Sequence, residues 1–132
     1  MRKTVLLSIK PEFAEQILNG QKSFEFRRTL FKDEAVSKVI IYASSPVCRV
    51  IGQFDVDGVL SMSMYALWRR TRREAGISWP VFSEYFEGKE KCHAIRVANP
   101  VRYAEPKALR EAVGLSRPPQ SFAYVDATCS EL

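Results

Sequence analysis

From Gly20 to Arg28 the chain reads Gly-Gln-Lys-Ser-Phe-Glu-Phe-Arg-Arg, and no other run constrains the fold as much. Glycine tolerates the left-handed backbone that ends a helix, and the residues after it alternate polar with apolar. Alternation is the period of a strand. If Phe24 and Phe26 face a core, then Ser23, Glu25 and Arg27 share the opposite face, with Lys22 at the strand entrance. An ammonium, a carboxylate and a guanidinium so close together suit a site that handles a polar ligand. The plain alternative is an ion pair on a solvated strand face, since same-face charge pairs are common.

The residues before this run say how it is held. Thr4 to Ile9 is a short apolar run stopped by Lys10-Pro11, which predicts a buried strand. Pro11 suits a first helical turn, because it has no amide hydrogen to leave unpaired and its φ is already set. Phe13, Ala14, Ile17 and Leu18 follow at helical spacing over residues 11–19, and Gly20 supplies the stop. The expected order is strand, helix, glycine turn, charged strand.

This opening, SIKPEFAEQILNGQKSFEFRR, resembles the start of an ASCH domain, a branch of the PUA-like superfamily. That family's signature is glycine, any residue, lysine, two residues, glutamate, any residue, arginine, supplied here by Gly20, Lys22, Glu25 and Arg27. YASSPVCRVIGQF (42–54), the segment ending FEG (86–88) and PPQSF (118–122) match the family's general pattern less specifically, so the resemblance spans most of the chain. It implies a PUA-like β-barrel with flanking short helices, and a cleft for RNA or a nucleotide lined by the signature residues. It also implies two enzymatic alternatives in the same cleft, ribonuclease action and removal of an acyl group from acetylated cytidine. The chain departs from the second group, which places a nucleophilic threonine where Glu25 stands; Ser23 is the nearest hydroxyl.

At 132 residues a single domain spanning 1–132 is expected. Seven prolines and six glycines favour many turns and short elements. The formal charge of +5 tilts the expectation toward an anionic partner. Cys48, Cys92 and Cys129 are odd in number and widely spaced, so a reducing cytoplasm is expected rather than a disulfide framework. Met1-Arg2-Lys3 followed by an apolar run resembles a leader peptide, but the run is too short and lacks a cleavage site. No stretch has the length of a membrane span.

Further along, Lys38 to Ala43 predicts a strand, and Arg49 to Leu60 a long alternating one. In the latter, Val50, Phe54 and Val56 face one side and Arg49, Gln53, Asp55 and Asp57 the other, with bends or bulges at Gly52 and Gly58. Residues 63–75 predict a helix ending at Gly76, with Met64, Leu67, Trp68, Thr71 and Ala75 inward. A second short helix is expected between Ser78 and Gly88. A strand over 91–97 that continues past Asn99-Pro100 into 101–103, a helix over 106–113 and a strand over 121–125 complete an α+β pattern, because helices interrupt the strands irregularly.

The candidate binding residues are Lys10, Lys22, Glu25 and Arg27, with Ser44 and Ser45 on a polar loop that, by the resemblance, edges the same cleft. Arg69, Arg70, Arg72 and Arg73 could follow a phosphate backbone or simply solubilise a helix face. Were the chain an enzyme, Lys22 and Glu25 would carry proton transfer. His93 is the sole histidine and stands beside Cys92 without metal-ligand spacing, so neither a metal nor a cofactor is expected. Asp55 and Asp57 read as a solvated pair. Three readings follow: an RNA-binding domain, a hydrolase of modified nucleosides or RNA, and a protein-interaction module using the aromatic segment Trp79 to Phe86.

Overall fold

A computed structural model describes residues 2–126; Met1 and Cys129 lie outside the described residues. Strand β1 (Lys3–Ile9) leads through Lys10 into helix α1 (Pro11–Leu18), with Pro11 in its first turn, and Gly20 turns the chain at a φ of 87°. Then follow β2 (Phe24–Arg27), β3 (Val36–Ala43) and β4 (Arg49–Met62). Helix α2 (Met64–Thr71) tightens into a 3₁₀ turn at Arg72–Glu74, and α3 (Trp79–Tyr85) comes next. The chain returns as β5 (Cys92–Lys107), α4 (Leu109–Val113) and β6 (Phe122–Val125).

The strands form one sheet in the order β2-β5-β4-β3-β1-β6. Only β1 and β3 run parallel; the other neighbours are antiparallel. The fold is therefore α+β. The barrel implied by the resemblance is present in open form, because among the described residues no backbone ladder joins β2 to β6. The two edges nevertheless come together, since the Arg27 side chain on β2 reaches the Ser121 carbonyl just ahead of β6 at 2.9 Å. The sheet is an open barrel, shut by a side chain.

Three apolar clusters fix this shape. Inside the curl lie Val5, Leu7, Ile9, Val39, Ile41, Phe54 and Ile95, closed at one end by Ala14 and Ile17 of α1. Under α2 and α3 lie Phe24, Phe26, Leu67, Phe82 and Phe86. Under α4 lie Leu6, Ile40, Tyr42, Val50, Tyr103 and Leu109. Thus β1 and β3 are buried on both faces, which is why their sequences run apolar without alternating.

Strand β4 departs from the single alternation expected of it. Ile41 pairs with Gly52 but Tyr42 pairs with Val50, so Ile51 is an extra residue. This bulge sends Val50 to the outer cluster while Phe54 and Val56 pack inside. Strand β5 runs through Asn99-Pro100 without a break. Its partner β2 pairs only with residues 93–96, so Pro100 sits where β5 has a strand on one side and costs no ladder bond there. Predicted helix 63–75 is real but shorter, with Gly76 beyond it at a φ of 72°.

Gly52 is required by close approach. A Cβ there would lie 2.6 Å from the Val101 carbonyl oxygen and 2.8 Å from Leu18 Cδ2. Gly52→Ala should therefore destabilise the fold by about 2 kcal/mol, as overpacking against backbone does, read from the midpoint of a urea denaturation curve. An unchanged midpoint would show that β4 and β5 can separate freely.

Candidate functional site

A cleft of about 560 Å³ opens where the end of β1, the start of α1, β2 and α3 meet. Ser8, Ile9, Lys10 and Phe13 line one wall; Lys22, Glu25, Phe26 and Arg27 line the floor; Ile77, Val81, Glu84 and Tyr85 line the other wall, with Gln120 at the rim. Its position follows from strand alternation. Phe24 and Phe26 anchor β2 under α2 and α3, so Glu25 and Arg27 must project into the curl of the sheet.

Lys22 is 3% exposed and Glu25 is 5% exposed. The Lys22 ammonium donates to the Ala75 carbonyl at 2.6 Å and lies over the Phe26 ring at 4.4 Å and the Phe13 ring at 5.4 Å. Burial lowers its pKa from 10.5 to about 8, against the opposing pull of the Glu25 carboxylate. Burial likewise holds the Glu25 carboxyl above the usual carboxylate range, although Arg27 and Lys22 both favour its charge. An acid and a base are thus drawn toward one another in acidity within a single recess.

Arg27 has a different task. Nη1 donates to the Ser8 carbonyl and to Glu25 Oε2, both at 3.2 Å. Nη2 donates to the Ser121 carbonyl at 2.9 Å and to its hydroxyl at 3.2 Å. Four acceptors occupy the fork of a guanidinium whose side chain is 11% exposed. A ligand would compete with structure for it. Arg28 donates to the carbonyls of Tyr85 and Glu87 and so caps α3, while the Tyr85 hydroxyl donates to the Phe26 carbonyl at 3.1 Å.

The other expected residues fall in several places. Lys10 is exposed at the α1 entrance and lines the cleft. Ser23 leaves the charged face, because its hydroxyl meets Glu74 Oε2 at 3.0 Å. The Ser44 amide donates to the Ile9 carbonyl at 2.9 Å, which sets the loop beside the Ile9 wall, but Ser44 and Ser45 are outside the lining. Arg69, Arg70, Arg72 and Arg73 are exposed on α2 and the 3₁₀ turn, also outside it. Within Trp79 to Phe86, Phe82 and Phe86 are fully buried, so most of that aromatic area is core; Val81 and Tyr85 face the cleft.

The Ser61 hydroxyl lies 2.7 Å from His93 Nδ1 as a cross-strand pair, and among the described residues no carboxylate hydrogen-bonds to that ring. Among the described residues no group of three or more His, Cys, Asp or Glu side chains gathers as metal ligands would. Asp55 accepts from Asn99 Nδ2 at 3.0 Å. Sequence reasoning missed the cleft's apolar walls, Phe13, Ile77 and Val81, because each reads locally as an ordinary apolar position. No described helix is long and apolar enough to cross a membrane.

Two outcomes test this geometry. Arg27→Lys removes the fork and strands the buried Glu25 carboxylate, which should cost about 3 kcal/mol in urea unfolding; a loss below about 1 kcal/mol would deny the clasp. For Lys22 the folded pKa lies below the unfolded value, so the full penalty is present at low pH, where both states hold the proton. As pH rises through about 8 the unfolded chain binds more protons than the folded one, and stability increases. Wild type should gain about 1 kcal/mol relative to Lys22→Met between about pH 7 and 9, measured by denaturation at both. Parallel pH responses of the two proteins would place Lys22 in water.

Comparison with known proteins fits this frame. An ASCH domain-containing ribonuclease of Zymomonas mobilis is 36% identical over 126 residues, covering 94% of this chain and 85% of that protein. The crystal structure of ASCH from Zymomonas mobilis superposes with a TM-score of 0.85 at 33% identity, covering 99% of this chain and 93% of that one. The large ribosomal subunit protein uL22 of Ureaplasma parvum is 29% identical over 124 residues, and the match spans 93% of this chain but 39% of that protein. The model of the ASCH domain matches residues 7–101. The chain belongs to the ASCH domain family.

Proposed function

We propose that the chain binds RNA in this cleft and cleaves the strand there by proton transfer. The observation that carries the reading is the burial in one cleft of Lys22, lowered to about 8, and Glu25, raised above its ordinary value. A carboxylate made more basic by burial is a better proton acceptor, and an ammonium made more acidic is a better donor. The similarity to a Zymomonas protein named as a ribonuclease supports RNA as the substrate.

The reaction suited to such a pair is internal transesterification. Glu25 takes the proton of a ribose 2′-hydroxyl as its oxygen attacks the adjacent phosphorus. The bond from phosphorus to the 5′-oxygen breaks, and Lys22 gives its proton to that leaving oxygen. The products are a 2′,3′-cyclic phosphate and a 5′-hydroxyl, and both residues end neutral, Glu25 protonated and Lys22 deprotonated, until a proton returns from Glu25 to Lys22 through solvent. Tyr85, 38% exposed at the cleft wall, offers a ring for a base, and Lys10 stands at the rim to meet a phosphate.

Incubation with a defined oligoribonucleotide, followed by chromatography, should yield the cyclic phosphate. Glu25→Gln and Lys22→Met should each lower the rate by at least about a hundred-fold. The rate should fall as pH rises through about 8, because Lys22 then loses the proton it donates. Cleavage that survives both substitutions would remove the chemistry from this cleft. Release of acetate from acetylated cytidine, without RNA cleavage, would shift the substrate to a modified nucleoside.

A further inference from the structure

The four arginines of α2 and its 3₁₀ turn are left without a task by the cleft. Among the described residues none of Arg69, Arg70, Arg72 and Arg73 forms an ion pair or a side-chain hydrogen bond; the ion pairs present join Lys3 to Asp33, Arg27 to Glu25 and Arg102 to Glu15. Four guanidiniums within five positions repel one another and gain nothing from neighbours. Beside them Tyr65 is 67% exposed, the most open large apolar side chain described. Its ring stacks on Trp79 at 5.2 Å and 29°, and Trp79 leans in turn on Trp68 at 5.6 Å and on the fully buried Phe82 at 6.0 Å. Tyr65 is thus an exposed ring braced from the core.

Helical spacing sets Tyr65 and Arg69 one turn apart on a common stripe, continued by Arg72 and Arg73. The stripe runs toward the cleft. Two residues past Arg73, the Ala75 carbonyl holds the Lys22 ammonium, and Ile77 already forms cleft wall. We propose that Tyr65 and the four arginines form an extension of the site that holds the RNA strand beyond the nucleotide in the cleft, the arginines on its phosphates and Tyr65 under a base. This rests on the reading of the cleft as an RNA site. An ordered ring suits a base because every base offers a flat face, and unpaired guanidiniums suit phosphates because their donors are free.

The test compares a ribo-trinucleotide with a ribo-dodecanucleotide by fluorescence anisotropy over a salt series. In the variant with all four arginines changed to glutamine, trinucleotide affinity should match wild type, while the dodecanucleotide should lose its length advantage. The slope of log affinity against log salt should flatten by roughly 2. Tyr65→Ala should weaken the dodecanucleotide about ten-fold with little change in slope. An unchanged slope in the arginine variant, or equal losses at both lengths, would overturn the proposal. So would polyglutamate displacing the dodecanucleotide as well as RNA of equal charge does, which would assign the surface to an acidic protein. Trinucleotide binding lost in Lys22→Met ties the extension to the cleft. If Lys22→Met leaves trinucleotide binding intact while the arginine variant behaves as stated, the cleft reading fails and the extension stands.

Discussion

The Arg27 guanidinium holds together what the backbone leaves open. A six-stranded sheet with β2 at one end and β6 at the other has two unsatisfied edges, and curling brings them close without pairing them. Arg27 spans that gap with bonds to Ser8, Ser121 and Glu25, and in doing so fixes the carboxylate that shapes the cleft floor. Lysine could not do this, because one ammonium cannot present a flat fork to acceptors on separate strands. The site's electrostatics and the closure of the sheet are consequently one arrangement.

That arrangement explains the unusual burial of two charges. The Glu25 carboxylate is tolerated because Arg27 neutralises it, and the Lys22 ammonium because a carbonyl and two ring faces replace water around it. Neither compensation is complete, so both groups shift toward their neutral forms. Incomplete compensation costs stability and leaves the ammonium more acidic and the carboxyl less acidic than in water, a combination that clusters at sites rather than in plain cores.

Much of this was legible in the sequence. Pro11 and Gly20 bracketed α1, the alternation from Ser23 to Arg27 placed Phe24 and Phe26 on the core side, and the signature residues pointed to the segment that floors the cleft. Local pattern misled on which way Val50 faces, because a bulge at Ile51 changed the parity of β4. That parity depends on which strands lie alongside, and sequence spacing carries no record of it, whereas the continuation of β5 past Asn99-Pro100 was legible. Ser23 also left the charged face, because Glu74 from a distant turn offered its hydroxyl a closer partner.

Taken alone, the sequence determined the element order, the helix stops and the charged strand, since these follow from backbone φ preferences and side-chain period. It also marked the arginine run, while leaving a phosphate contact and a solvated helix face equally open. Only the tertiary structure decided that Arg27 is a clasp, that Lys22 is desolvated between Phe13, Phe26 and the Ala75 carbonyl, and that Tyr65 is an exposed ring braced by Trp79. Each of these rests on contacts between residues tens of positions apart. Burial and partner distance, which set a side chain's charge and freedom, exist only once the chain has closed on itself.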